Sequence, residues 1–195
     1  MKRFTIFAVI LLWSASVFAH GRAGTPPTNE ARRITFPDTE AYQVLVVDPH
    51  THSVFSDGHV WPRVRVEEAL RDGLDAVAIT EHLEYQPHLS DIPHPDRNRA
   101  YKDAASAAED HDLMVIAGAE ITRGNPAGHQ NALFLTDANK LLRVSDPFEP
   151  KGYGSRAKEW PTQEAVKAAN EQGAFVFSNH GWWRRAFPNG IIVSS

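Results

Sequence analysis

The chain has 195 residues, 42% of them hydrophobic, with 20 Lys and Arg against 24 Asp and Glu, a net charge of −4 and no cysteine. That apolar fraction excludes a disordered chain, the missing cysteines exclude a disulfide framework or a thiolate metal site, and the mild acidity lacks the basic footprint of nonspecific nucleic-acid binding. Ten histidines make their placement the first functional question, because histidine is the commonest metal ligand.

Residues 1–19 read as an export signal. Lys2 and Arg3 form a positive start, residues 4–13 are an apolar run too short to span a bilayer, and Val17, Phe18 and Ala19 supply the small residues a signal peptidase reads. Cleavage after Ala19 would leave 176 of the 195 residues, periplasmic or secreted, with no stable membrane association. Residues 20–40, which include Gly21, Gly24, Pro26, Pro27 and Pro37, read as a linker or N-terminal arm, and residues 41–195 as one domain. Apolar runs predict strands at 42–47, 76–80, 114–117, 131–136 and 174–177. Helical patterns lie at 64–71, ended by Gly73, at 97–111, and at 162–172, stopped by Gly173. This alternation predicts an α/β fold with parallel strands covered by helices, either a barrel or an open doubly wound sheet.

The strand ends carry the chemistry. The first run leads into Asp48-Pro49-His50-Thr51-His52 and then Ser56-Asp57-Gly58. Residues i and i+2 of an extended segment face the same way, so His50 and His52 can offer two imidazoles to one point, and the turn places Asp57 nearby. The second run ends in Glu81-His82, the third in Gly118-Ala119-Glu120, the last in Ser178-Asn179-His180. The C-terminal edge of a parallel sheet is where α/β enzymes assemble their sites. Each of these residues alone suits a cap or a surface position; together with His50 and His52 they point to a metal cluster. His129 instead precedes its strand, after a Gly/Pro-rich loop. It is either a plain loop histidine or the start of an antiparallel strand that brings it beside Glu120.

In this order, Asp48-x-His50-x-His52-Ser53-x-x-Ser56-Asp57-Gly58, Ile79-Thr80-Glu81-His82, Gly118-Ala119-Glu120, His129 and Asn179-His180 resemble the successive motifs of the PHP superfamily (polymerase and histidinol phosphatase). Residues 80–94 and 118–135 resemble a secreted bacterial branch described as phosphodiesterases, and the resemblance covers about 48–182. It implies a distorted seven-stranded α/β barrel, a (βα)7 arrangement, holding up to three divalent ions of zinc, manganese or iron, and hydrolysis of a small phosphoester. Carried over, it puts His50 and His52 on the first ion, Glu120 bridging to the second, His129 and His180 completing the second, and Asp57 and His82 on the third. Glu81 stands where the family usually has Asp and is expected to orient a ligand rather than bind metal.

Such a cluster suits phosphodiester hydrolysis because divalent ions neutralise the anionic oxygens, stabilise the leaving alkoxide and activate a water. No side-chain nucleophile is then assigned. Arg123 is a candidate contact to a substrate phosphate or else a solvated loop residue, and Trp182 and Trp183 are either pocket walls or packing residues. His20, His59, His88, His94 and His111 are read as non-ligands, His88 and His94 in a Pro-rich loop over the site mouth. The resemblance also implies a late Asp-x-His motif, yet residues 181–195 contain no Asp, Glu or His, so the domain is expected to be incomplete at its C-terminus. The function expected is an exported metal-dependent phosphodiesterase. The alternatives are a catalytically impaired remnant that retains metal, and a metal-dependent hydrolase of non-phosphate esters or amides.

Overall fold

A computed structural model describes residues 32–123, 127–142 and 160–180. The expected export signal, the first part of the linker, Trp182, Trp183 and the C-terminal residues lie outside the described residues.

Five strands form one sheet in the order β1 (Val47–Thr51), β2 (Ala76–Ile79), β3 (Met114–Ile121), β4 (Gln130–Leu133) and β5 (Phe175–Ser178). The uniformly parallel order expected from the βα alternation is corrected at one strand. β1, β2 and β3 are parallel, β4 is antiparallel to β3, and β5 is antiparallel to β4. The reversal has a local cause: β3 and β4 are joined by a short loop, and a short connection permits only an antiparallel neighbour. The described residues thus give a mixed five-stranded α/β sheet rather than the seven strands of the implied barrel.

The first strand also begins later than its apolar run suggests. β2 starts at Ala76, opposite Val47, so the run at 42–46 reaches past its partner strand, and Tyr42, Val44 and Leu45 are exposed. The shift puts His50 inside the strand, where the β1–β2 register is irregular between Asp48 and Thr51.

Among the described residues three α-helices pack on one face: α1 (Pro62–Asp72), α2 (Arg99–Ala107) and α3 (Thr162–Asn170). Proline at N1 starts α1, since the missing N–H has no helical partner there anyway. Gly73 ends it in the left-handed conformation, φ 73°, which a residue without a β-carbon adopts at little cost. Val66, Ala69, Ala100 and Ala104 of α1 and α2 pack against Val77 and Ile79. Ala165 and Ala169 of α3 pack against Ala119, Ile121 and Ala132. The opposite face of the same strands carries Ala76, Ala78, Ile116 and Leu133, with Phe177 against them. This period-2 division leaves the even-numbered Glu120 on the face away from the helices, at the end of β3. Burying each large aliphatic of these cores stabilises the fold by about 1.5–3 kcal/mol.

One polar network braces the helix side. Asp96 accepts from Lys102 Nζ at 2.7 Å, Asn139 Nδ2 at 2.8 Å and the Asn98 amide at 3.0 Å, while Asn98 Nδ2 donates to Asp137 Oδ1 at 2.8 Å. It ties the start of α2 to a short 3-10 helix, Ala138–Leu141.

Candidate metal centre

Strand direction explains how the cluster assembles. β1, β2, β3 and β5 all point their C-terminal ends to one edge, delivering His50 and His52, His82, Glu120, and His180 in turn. β4 runs the other way, so its N-terminal end lies at that same edge and His129, one residue before it, arrives with the rest. The antiparallel placement of His129 beside Glu120 is therefore what the fold contains. A short bridge between His82 and Glu120 extends the β2–β3 pairing to the site.

Glu120 is fully buried at the centre. Its Oε1 lies 2.7 Å from His129 Nδ1 and 3.7 Å from His180 Nε2; its Oε2 lies 2.8 Å from His82 Nδ1 and 3.3 Å from His52 Nε2. Asn179 Nδ2 donates to Oε1 at 3.0 Å. Among the described residues Oε2 meets only imidazole nitrogens, His82 Nδ1 and His52 Nε2. A buried ionised carboxylate is costly unless hydrogen bonds or a cation meet it, and here imidazoles surround it on both oxygens.

Asp57, half-exposed, faces His82 Nε2 at 3.4 Å and His52 Nδ1 at 3.9 Å. His50 and His52 do converge as their spacing predicts, Nε2 to Nε2 at 3.4 Å. The rings of His52 and His82 stack at 4.4 Å between centroids, and His129 and His180 meet edge to face at 5.5 Å. Two sets of ligand atoms lie within 4.8 Å of one another: His50, Glu120 and His180, and His52, His82 and Glu120. Glu120 is common to both sets, His50 belongs to one and His52 to the other. Imidazole nitrogens with carboxylate oxygens make a donor set suited to zinc, manganese or iron(II), so the residues present fit divalent ions.

Titration behaviour follows from this crowding. Burial, reinforced by the neighbouring His82, pushes His52 down to about 3, and burial likewise lowers His50. For His82 burial also acts downward, but the Asp57 and Glu120 carboxylates outweigh it and raise the ring to about 9. Burial alone would raise Glu120; His129, His82 and Asn179 reverse it and hold the carboxyl far below the usual carboxylate range. The cluster thus offers neutral imidazoles at His50 and His52 around a carboxylate that stays ionised.

Several groups hold these side chains without reaching the centre. Glu81 is buried and accepts from the Ser53 amide at 2.9 Å and from the hydroxyls of Ser53 and Ser56. Ser56 Oγ in turn lies 3.3 Å from His52 Nδ1, so Glu81 reaches His52 through Ser56. Burial raises the Glu81 carboxyl, with the two serines opposing. Asn131 Nδ2 donates to His50 Nδ1 at 2.8 Å, and its Oδ1 accepts from Asn179 Nδ2 at 2.9 Å. Thr122 Oγ1 donates to the Glu120 carbonyl at 3.2 Å and lies 2.7 Å from His82 Nδ1. Sequence reasoning assigned no role to Thr122 or Asn131. The signal for Asn131 was an amide at the head of the apolar run Ala132–Leu135, and folding leaves it completely buried.

Arg123 is placed differently from the substrate contact considered for it. Its guanidinium is buried, pairs with Glu84, and donates to the carbonyls of Thr122 at 2.8 Å and Trp160 at 3.3 Å. It joins three segments behind the cluster, and Glu84 Oε2 also accepts from the Thr122 amide at 2.9 Å. His94 does not lie over a mouth either: it is buried against Phe55, with ring centroids 4.8 Å apart.

Comparison with known proteins follows the same lines. The family profile described as PHP domain matches residues 48–174. A crystal structure of a two-domain protein from Bacteroides vulgatus, containing a predicted PHP-like metal-dependent phosphoesterase, is 42% identical with a TM-score of 0.68. It covers 83% of this chain, while the chain spans 42% of that protein's length. A putative metal-dependent phosphoesterase from Bifidobacterium adolescentis is 31% identical over 51% of this chain and 31% of its own, with a TM-score of 0.39. No curated protein matches the chain.

Proposed function

The chain belongs to the PHP domain family, in the company of PHP-like metal-dependent phosphoesterases, and from that premise we propose that it is an exported, divalent-metal-dependent phosphodiesterase. The observation that carries the catalytic part is the fully buried Glu120 shared by two sets of imidazole ligands. The diester assignment rests on the likeness of residues 80–94 and 118–135 to the secreted phosphodiesterase branch, and the export assignment on residues 1–19.

In this reading His50, His52, His82, His129, His180, Glu120 and Asp57 hold the ions. Bound divalent ions would supply charge neutralisation for the phosphoryl oxygens and an activated water near neutral pH. The chain's own part is positional. Asn131 and Thr80, the latter 3.1 Å from His50 Nδ1, fix the His50 ring. Ser56 and Glu81 steady His52, and Thr122 holds the Nδ1 side of His82 so that Nε2 faces Asp57. Such partners set ring orientation, and losing one typically costs about 10–100-fold in metal affinity.

The test is hydrolysis of bis(p-nitrophenyl) phosphate beside p-nitrophenyl phosphate and p-nitrophenyl acetate by purified protein loaded with Mn2+ or Zn2+. The proposal expects the diester to be preferred, and activity to vanish with chelator and with His52→Ala. Metal uptake without turnover would support an impaired remnant, preference for the acetate a non-phosphate hydrolase, and failure to take up any ion would end the metalloenzyme reading.

A further inference from the structure

The loop between β2 and α2 contains a buried histidine that the cluster does not use. His94 Nε2 lies 2.8 Å from the Phe55 carbonyl oxygen and also contacts Gln86 Oε1, while Nδ1 contacts the Ile92 carbonyl. Gln86, also buried, donates its Nε2 to the His82 carbonyl. Two side chains thus form a continuous bridge from the main chain of His82 to the main chain of Phe55.

What the bridge spans is informative. Phe55 lies two residues before Asp57, and the 53–58 turn is otherwise closed by its own hydrogen bonds, Ser56 N and Gly58 N to the Ser53 carbonyl at 3.0 and 2.9 Å. Those bonds fix the shape of the turn; Glu81, just past the end of β2, holds its Ser53 and Ser56 side, and the Gln86–His94 bridge adds a second tie at Phe55. Asp57 is also far more exposed than its partner, its side chain 35% accessible against 4% for His82, so packing alone does little to restrain it. The Gln86–His94 bridge runs between the segments carrying Asp57 and His82, a carboxylate–imidazole pair of the cluster that does not involve Glu120. The Phe55 ring also meets the His94 ring edge to face and the Arg99 guanidinium 4.8 Å from its centroid, contacts that help hold the anchor residue.

We propose that Gln86 and His94 are positioning residues that set the spacing of Asp57 and His82, and hence the affinity of the ion these two hold. The inference rests on reading the cluster as a metal site. It gives the Pro-rich loop a task distinct from that of a cover: it measures the distance between two strand ends. His94 acts through Phe55 and Gln86 through His82, and neither touches an ion or substrate.

The test is a Co2+ titration of wild type, Asp57→Asn, His94→Ala, His94→Gln and Gln86→Ala, followed by visible absorption, with folding checked by circular dichroism. Asp57→Asn identifies the binding step that depends on this pair. His94→Ala and Gln86→Ala should weaken that same step by about 10–100-fold, the usual effect of losing a partner that orients a ligand, and leave the other steps unchanged. His94→Gln, whose amide can still donate to the Phe55 carbonyl, should restore it. Should His94→Ala fail to fold, Gln86→Ala decides. Folded variants in which every step weakens alike, or none does, while wild type binds Co2+, would overturn the bridge alone; a wild type that takes up no Co2+ would overturn the metal reading and the bridge with it.

Discussion

His129 Nδ1 lies 2.7 Å from Glu120 Oε1, although one residue precedes its strand and the other sits near the end of its own. β4 runs against β3, so the start of one is level with the end of the other, and Ile121 pairs with Gln130. Glu120 is thereby enclosed by imidazoles from four segments. Glu120→Gln should cost more metal affinity than the about 10–100-fold typical of an orienting partner, because both candidate ligand sets lose their common member. Metal content after dialysis against a weak chelator checks this.

Glu81 has only donors around it: the Ser53 amide and two serine hydroxyls. Glu81→Gln introduces an amide that must turn a donor toward one of them. We expect retained fold but a displaced Ser56, a freer His52 ring, and metal affinity lower by about 10–100-fold. Isothermal titration with Mn2+ measures it, and unchanged affinity would refute the relay through Ser56.

Arg123 and Glu84 form an ion pair in which both side chains are essentially inaccessible. Removing one partner strands a buried charge, so Arg123→Met should destabilise the protein by about 3–5 kcal/mol, and adding Glu84→Gln should recover part of that. Urea unfolding of the single and double variants supplies the values. A catalytic defect in Arg123→Met at unchanged stability would instead return Arg123 to the substrate.

Gly58 lies against the backbone of the strand end that carries His52. A β-carbon there would come within 2.6 Å of the His52 carbonyl carbon and oxygen and 2.7 Å of the Ser53 nitrogen. Backbone cannot yield as a flexible side chain would, so Gly58→Ala should cost about 1–3 kcal/mol and weaken metal binding through His52. Thermal melts with and without metal separate the two effects.

Asp96 sets an acid limit on stability. Lys102 and Asn139 hold its carboxyl below the usual carboxylate range in the folded state. A lowered folded pKa means that the unfolded chain binds more protons, so this contribution is complete above the unfolded value of about 3.9 and is lost as pH falls through and below it. Melting temperature in chelator should therefore fall less steeply below about pH 4 for Asp96→Asn than for wild type. Identical slopes would show that the network does not contribute.

Much of the candidate site was legible in the sequence because period-2 spacing and strand ends are local properties. His50 and His52 need only an extended backbone to converge, and the apolar runs before Glu81-His82, Glu120 and His180 mark where strands stop. Helix ends were legible at Gly73, which only a left-handed cap explains simply. The boundaries of β1 were not, since a strand begins where its neighbour offers partners, and Ala76 rather than residues 42–46 determined that.

By itself, then, the sequence determined the chemistry of the donors, their order along the chain, and the family pattern to which they belong. Tertiary structure decided how they are grouped and what supports them. The direction of β4 made His129 a neighbour of Glu120, and the folding of Glu84 against Arg123 turned a candidate substrate contact into a buried ion pair. Packing of the 83–98 loop placed His94 between Gln86 and Phe55. These are relations between residues up to tens of positions apart. Hydrogen bonds and ion pairs of that kind depend on distances of a few tenths of an ångström, which residue type and spacing do not encode and only the assembled sheet fixes.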